Sequence, residues 1–237
     1  MNLALIFAGG TGTRMNSKTK PKQFLELNGK PIIIHTIELF ESHPEIDAIA
    51  VVCLESWIGY LNELLERFRI KKVKYVVPGG ETGQQSIRNG LTAFWDDQDI
   101  PRDSLVLIHD GVRPLINEDI ITRSIECAKQ YGNAITVTPA IETIITVSED
   151  DSVDQIMDRS KCRMARAPQT FRLCDIVEAH NKAITDGALN MIDSAMLMSH
   201  YGATLHVVEG PVENIKITTP SDLSLIHISE PTRLQLI

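Results

Sequence analysis

Apolar and polar positions along this chain fall into alternating runs of two kinds. Leu3 to Ala8 is continuously apolar and short, which suits a buried strand, and glycines follow it at 9, 10 and 12. Pro31 to Phe40 predicts a helix whose proline sits in the first turn, where its missing N–H costs least. Ile46 to Cys53 reads as a second strand, Trp57 to Phe68 has helical spacing, and Val73 to Val77 is a third strand. A loop, Pro78-Gly79-Gly80-Glu81-Thr82-Gly83-Gln84-Gln85-Ser86, then leads to a helix expected from about Ile87. Ser104 to Asp110 is a fourth strand, and Asn117 to Tyr131 a helix with Asn117 as N-cap and Glu118 and Asp119 in its first turn. Such alternation implies an α/β fold: a mainly parallel sheet covered on both faces, with ligands at the carboxyl ends of the strands.

Further along, the pattern changes. Ala134 to Ala140 and Ile141 to Val147 are extended β-branched runs, residues 148–152 form a polar turn, and Val153 to Met157 returns. This predicts a β-hairpin projecting from the sheet, an arm spanning about residues 139–165. A lone hairpin is marginal in water, so it is expected to pack against something, a second subunit included. Ala167 to Phe171 leads into a helix from Leu173 to Ile184, and Met191 to Met198 reads as another, its methionines filling core. From Thr204 to Pro220 two strands are expected around a turn, with Lys216 inside the second.

At 237 residues the chain suits one large domain with a sizeable core. Acidic residues outnumber basic ones, 31 to 23, which argues for a small-molecule substrate with locally held cations rather than general nucleic-acid binding. Cys53, Cys127, Cys162 and Cys174 are scattered without a C-x-x-C pair, the pattern of reduced thiols in a cytosolic protein rather than a zinc site. With no apolar run of membrane length and no signal-peptide pattern, a soluble cytoplasmic protein is expected, with neither membrane nor nucleic acid as partner.

The candidate chemistry lies where strands end. A glycine turn after a buried strand presents free backbone N–H groups to an anion, although such a turn also occurs as plain packing. It is neither G-x-G-x-x-G nor a Walker loop. Arg14 and Lys22 follow closely and supply charge for a polyphosphate. The loop through Gly80, Glu81 and Ser86 belongs at the same sheet edge, bordering a base or ribose or simply joining strand to helix. Asp110, directly after a strand, is placed to hold Mg²⁺ against phosphate oxygens; capping a helix and pairing with Arg113 are its alternatives. His109 reads as a packed imidazole. Arg159 is either a surface ion-pair residue or a phosphate anchor, and Lys216 either edge protection or a third cation.

Taken as an ordered set, A-G-G-T-G-T-R-M, P-K-Q-F-L, P-G-G, H-D-G-V-R-P, D-R, A-P-Q-T-F and E-N-I-K-I-T resemble the bacterial cytidylyltransferases acting on methylerythritol phosphate or ribitol phosphate, across Ala4 to Asp222. The resemblance implies a Rossmann-like three-layer nucleotidyltransferase fold in a single domain, residues 1–222. It implies CTP held by Ala8, Gly9, Gly10, Thr11, Gly12, Thr13, Gly80, Glu81 and Ser86, and transition-state cations at Arg14 and Lys22. Arg159 and Lys216 position the acceptor, with Arg113 and Thr143 on the same side, and Asp110 is the metal-side aspartate for Mg²⁺. It also implies a homodimer whose arms carry Thr143 and Arg159 toward the neighbouring active site. The acceptor's phosphate oxygen would attack the α-phosphorus of CTP in line, needing no general base because a phosphate monoester is already ionised.

The chain departs from the methylerythritol pattern at particular positions. Gly83, Gln84 and Gln85 stand where an arginine is usual, Ala167-Pro168-Gln169 stands for T-P-Q, and Ile192-Asp193-Ser194 for T-D-E. Losing two acceptor-side hydroxyls favours ribitol phosphate. The alternatives are methylerythritol phosphate as acceptor, a non-catalytic CTP-binding domain, and a nucleotidyltransferase using another triphosphate. Residues 223–237 resemble a translated sequencing adapter and are expected to be non-native, following a helix start at Thr219, Pro220 and Asp222.

Overall fold

The computed structural model describes residues 1–10 and 20–224. In chain order the elements are β1 (Asn2–Ala8), a short ribbon of β2 (Glu26–Leu27) and β3 (Lys30–Pro31), α1 (Ile32–Ser42), β4 (Ala48–Cys53), α2 (Ile58–Arg67), β5 (Val73–Pro78), α3 (Gly83–Trp95), β6 (Leu105–Asp110) and α4 (Glu118–Tyr131). There follow β7 (Asn133–Pro139), β8 (Ile145–Val147), β9 (Val153–Ile156), β10 (Arg163–Arg172), α5 (Leu173–Thr185), α6 (Ser194–His200) and β11 (Val207–Glu209). The main sheet has seven strands in the order β11-β7-β10-β6-β1-β4-β5. Only β10 runs antiparallel to its neighbours, β7 and β6.

Side-chain alternation along β1 sorts the core into two layers. Ala4, Ile6 and Ala8 face a cluster with Ile33, Phe40, Leu61 and Ile121 of α1, α2 and α4, while Leu3 and Leu5 face Leu91, Phe94, Ile176 and Leu197 of α3, α5 and α6. A parallel sheet buried on both faces needs such continuous apolar strands. The three-layer α/β arrangement that the resemblance implies is therefore present, with β6 at the middle of the sheet and β1 beside it.

Several boundaries differ from the sequence reading. Helix α3 starts at Gly83 rather than near Ile87, because the Thr82 hydroxyl accepts from the Gln85 N–H and caps it there. Helix α6 starts at Ser194 rather than Met191, with Asp193 as the cap accepting from the Met196 N–H. Asn117 caps α4 as expected, accepting from the Ile120 N–H, and Gly132 closes that helix at φ 84°. The A-P-Q-T-F segment is the end of a ten-residue strand, β10. Lys216 lies on irregular chain after β11 rather than in a strand, since residues 212–218 run past the sheet without joining it.

The arm is the separate two-stranded sheet of β8 and β9, connected to β7 and β10 by irregular chain. Ile141, Ile145, Val147, Val153, Ile156 and Met164 are all exposed there, Ile156 by 68%. At the far end, Asp222 accepts from the Thr218 and Thr219 N–H groups while its own N–H donates to Thr219 Oγ1, the reciprocal capping that starts the helix at residues 220–224.

Candidate active site

Strand register brings the motifs to one edge. Phe7 lies opposite Asp110, Ala8 opposite Cys53, and Cys53 opposite Pro78, so the glycine turn, the P-G-G loop and the aspartate leave the sheet side by side. The two glycine segments touch through their backbones. A Cβ on Gly9 would meet Ser86 Oγ at 3.1 Å and Gly79 Cα at 3.4 Å, so a side chain there would push the loops apart. Ser86 fastens the second loop, accepting from the Gly80 N–H at 3.0 Å and donating to the Thr82 carbonyl at 2.9 Å. Glu81 is exposed beside it, its N–H donating to Gln85 Oε1. Thr11, Gly12, Thr13 and Arg14 lie outside the described residues.

The P-K-Q-F motif forms a single 3-10 turn, Lys22–Phe24, that works in three directions. Phe24 stacks on Trp57 with ring centroids 4.9 Å apart and meets Tyr60 edge-on, which anchors the turn to α2. Gln23 is buried and donates from Nε2 to the Ala8 carbonyl at 2.7 Å and the Gly10 carbonyl at 3.3 Å, fixing the entry to the glycine turn. Lys22 donates from Nζ to the Ile217 carbonyl at 3.1 Å, next to Lys216.

Asp110 sits between two cations. Its Oδ2 accepts from Arg113 Nε at 2.7 Å and its Oδ1 from Lys216 Nζ at 2.6 Å. Burial alone would raise its pKa, but the charges of Lys216 and Arg113 outweigh burial and hold the carboxyl at about 2. Arg113 is only 7% exposed and gives a second donor to the Asn214 carbonyl at 2.8 Å, so its guanidinium braces Asp110 while still lining the cavity. His109 is buried against Phe40 with Nε2 on the Arg113 carbonyl; burial lowers its pKa to about 4 and keeps the ring neutral. The packed-imidazole reading of His109 and the Arg113 pairing of Asp110 both appear in the structure.

A cavity of about 220 Å³ opens beside this cluster, with Asp110, Arg113, Arg166 and Lys216 on its polar side. Its opposite wall is ordered by Gln169, which donates to Asp193 Oδ2 and accepts from the Ala195 N–H, both at 2.9 Å. Ala167 and Ile192, the positions where hydroxyls were found to be missing, both line it. Thr143 and Arg159 do not. Both are exposed on the arm, where Arg159 donates to the Ile141 carbonyl at 2.7 Å.

With this geometry in view, likeness to known proteins becomes decisive. A family model described as 2-C-methyl-D-erythritol 4-phosphate cytidylyltransferase matches residues 2–229. The chain belongs to this family. Within the family it is similar to a ribitol-5-phosphate cytidylyltransferase of Vibrio parahaemolyticus, 55% identical over 222 residues that cover 94% of this chain and 92% of that protein. It is also similar, at 38% identity over 94% of this chain and 93% of the other, to a 2-C-methyl-D-erythritol 4-phosphate cytidylyltransferase of Syntrophus aciditrophicus. A crystal structure of 4-diphosphocytidyl-2C-methyl-D-erythritol synthase from Anaerococcus prevotii superposes with a TM-score of 0.82 at 25% identity, covering 98% of this chain and 95% of that one.

For a family member, two residues stand out that sequence reasoning left without a role. Gln23 had a signal, a polar residue inside the P-K-Q-F motif; Arg166 had none, being one of four arginines between 159 and 172. Among the described residues no cluster of three or more His, Cys, Asp or Glu side chains forms a metal cage. Asp110 would offer one carboxylate to a divalent cation, and substrate phosphates would supply the remaining oxygens. No helix among the described residues is long and apolar enough to cross a membrane.

Proposed function

We propose that this chain transfers the cytidylyl group of CTP to ribitol 5-phosphate, giving CDP-ribitol and pyrophosphate. The observation that carries the reading is the pairing of Lys216 with Asp110 on the cavity wall, with Lys22 held beside Lys216 at the sheet edge, in a chain 55% identical to a ribitol-5-phosphate cytidylyltransferase. Ala8, Gly9, Gly10, Thr11, Gly12 and Thr13, with Gly80 and Glu81 across the cleft, hold the nucleotide, and Ser86 keeps the second loop in shape.

The reaction needs little covalent help from the protein. An ionised phosphate oxygen of the acceptor attacks the α-phosphorus, a new P–O bond forms, the bond to the β-phosphate oxygen breaks, and its electron pair leaves on pyrophosphate. Arg14, Lys22 and Lys216 meet the charge on the five-coordinate phosphorus and the leaving group. Asp110 holds Lys216 in place and is the residue that would hold Mg²⁺. The metal's contribution when bound is to neutralise triphosphate charge.

The exposed apolar residues of the arm support a homodimer in which Thr143 and Arg159 reach the second copy's cavity, with Arg159 as an anchor for the acceptor phosphate. The protein acts in the cytoplasm. Methylerythritol phosphate is the second reading, favoured by the family model's description; the apolar Ala167 and Ile192 on the cavity wall weigh against it. Pyrophosphate release assayed with ribitol 5-phosphate and each of the four ribonucleoside triphosphates tests the proposal. Release with CTP supports it, and CTP binding without release would make the chain a non-catalytic binding domain.

A further inference from the structure

Of the cations around the cavity, two have a carboxylate partner. Arg113 and Lys216 share Asp110, and Arg113 spends another donor on the Asn214 carbonyl. Arg166 is different. It is half-buried and lines the same cavity, forms no ion pair among the described residues, and makes its one hydrogen bond from Nε to Thr138 Oγ1 at a long 3.5 Å. Burial and the nearby charge of Arg113 both push its pKa below the usual arginine value, the mark of a cation held where positive charge is already in excess.

The backbone explains how it comes to be there. Ala165 pairs with Val137 and Gln169 with Ile135, so an advance of four residues on β10 meets an advance of two on β7. The surplus chain at Arg166, Ala167 and Pro168 is a bulge, and bulges next to active sites re-aim side chains that a regular strand would point elsewhere. A half-buried guanidinium without a counter-ion costs stability, and that cost is recovered when an anion arrives.

We infer that Arg166 is a further acceptor-binding residue, which shares the phosphate dianion of the acceptor with Arg159 of a second copy. This rests on the cytidylyltransferase reading above. The position of Arg166 beside Ala167 links it to the segment where this chain departs from the methylerythritol pattern.

The test uses the full chain with Arg166→Met and Arg166→Lys, measuring steady-state kinetics with CTP and ribitol 5-phosphate, melting temperature, and the melting shift produced by inorganic phosphate. Loss of a charge-assisted hydrogen bond predicts a KM for ribitol 5-phosphate raised roughly 10- to 100-fold in Arg166→Met. The KM for CTP should stay within about twofold, since the nucleotide is held elsewhere. Arg166→Lys should recover part of the loss, and the phosphate-induced melting shift should shrink. The melting temperature of the free Arg166→Met protein should equal or exceed that of the parent, which a structural role would not allow. An unchanged acceptor KM, or equal rises in both KM values with a lower melting temperature, overturns the inference. If the parent protein is inactive with polyol phosphates, the functional reading fails. The phosphate-induced shift then decides the anion site alone: a shrunken shift upholds it and an unchanged one overturns it.

Discussion

Lys216 Nζ lies 2.6 Å from Asp110 Oδ1, across more than a hundred residues of sequence, and this ion pair sets one wall of the site. The lysine side chain is 38% exposed whereas the carboxylate is almost closed off, so the pair is anchored at Asp110 and open at the amine. Asp110 itself is fixed by Arg113 and by its place at the end of a central strand. The amine is thereby aimed at the cavity without folding the exposed chain around it into a strand.

Lys216→Met removes a charge aimed at the transferring phosphorus and leaves Asp110 paired with Arg113. Turnover with CTP should fall roughly 10²- to 10³-fold, the loss typical of one preorganised donor. The melting temperature should also fall, because the buried Asp110 carboxylate keeps one cation instead of two. Steady-state kinetics beside a thermal melt checks both halves.

Gln23→Ala deletes the amide that spans the Ala8 and Gly10 carbonyls. The Ala8 carbonyl loses a buried partner, costing about 1–3 kcal/mol of stability. The entry to the glycine turn then loosens, so the KM for CTP should rise while that for the acceptor does not. Urea unfolding and nucleotide titrations read the two effects separately.

Acid should weaken the fold in two stages. Burial lowers the folded pKa of His109 and of His180 to about 4, below the ordinary value near 6.5. As pH falls through the interval between these values, the unfolded chain takes up protons that the folded chain refuses, so stability drops with falling pH. Asp110 has a depressed carboxyl, and its contribution is present above about pH 4 and lost only as pH approaches about 2. Unfolding free energies measured from pH 7.5 to 4.5 should therefore decline, and His180→Gln should flatten the decline. An equally steep decline in the variant would assign it to other groups.

Much of the fold was legible because buried parallel strands are written as continuous apolar runs. β1, β4, β5 and β6 were found that way, and Asn117 announced α4 as a cap. What the sequence hid depended on tertiary partners. Thr82 caps α3 earlier than the apolar spacing suggested, and β10 disguises itself with polar residues and a proline because its first half faces solvent. Lys216 looked like a strand residue from its apolar neighbours Ile215 and Ile217, but Ile217 packs with Leu27, Ile32 and Val112 in a small cluster away from the sheet. At the site, motif spacing singled out Lys22 and Asp110 as candidates, and the structure places each of them against the segment that carries Lys216. That Arg113 braces Asp110, and that Arg166 is left facing the cavity, depends on hydrogen bonds and a bulge that no spacing records.

The central claim is that this site makes a CDP-polyol and prefers an unbranched acceptor. Its most direct test is a competition: enzyme, CTP and Mg²⁺ with equal concentrations of ribitol 5-phosphate and 2-C-methyl-D-erythritol 4-phosphate, with products resolved by mass. The account predicts CDP-ribitol as the dominant early product, with pyrophosphate released in equal amount. Dominant formation of 4-diphosphocytidyl-2-C-methyl-D-erythritol would contradict it.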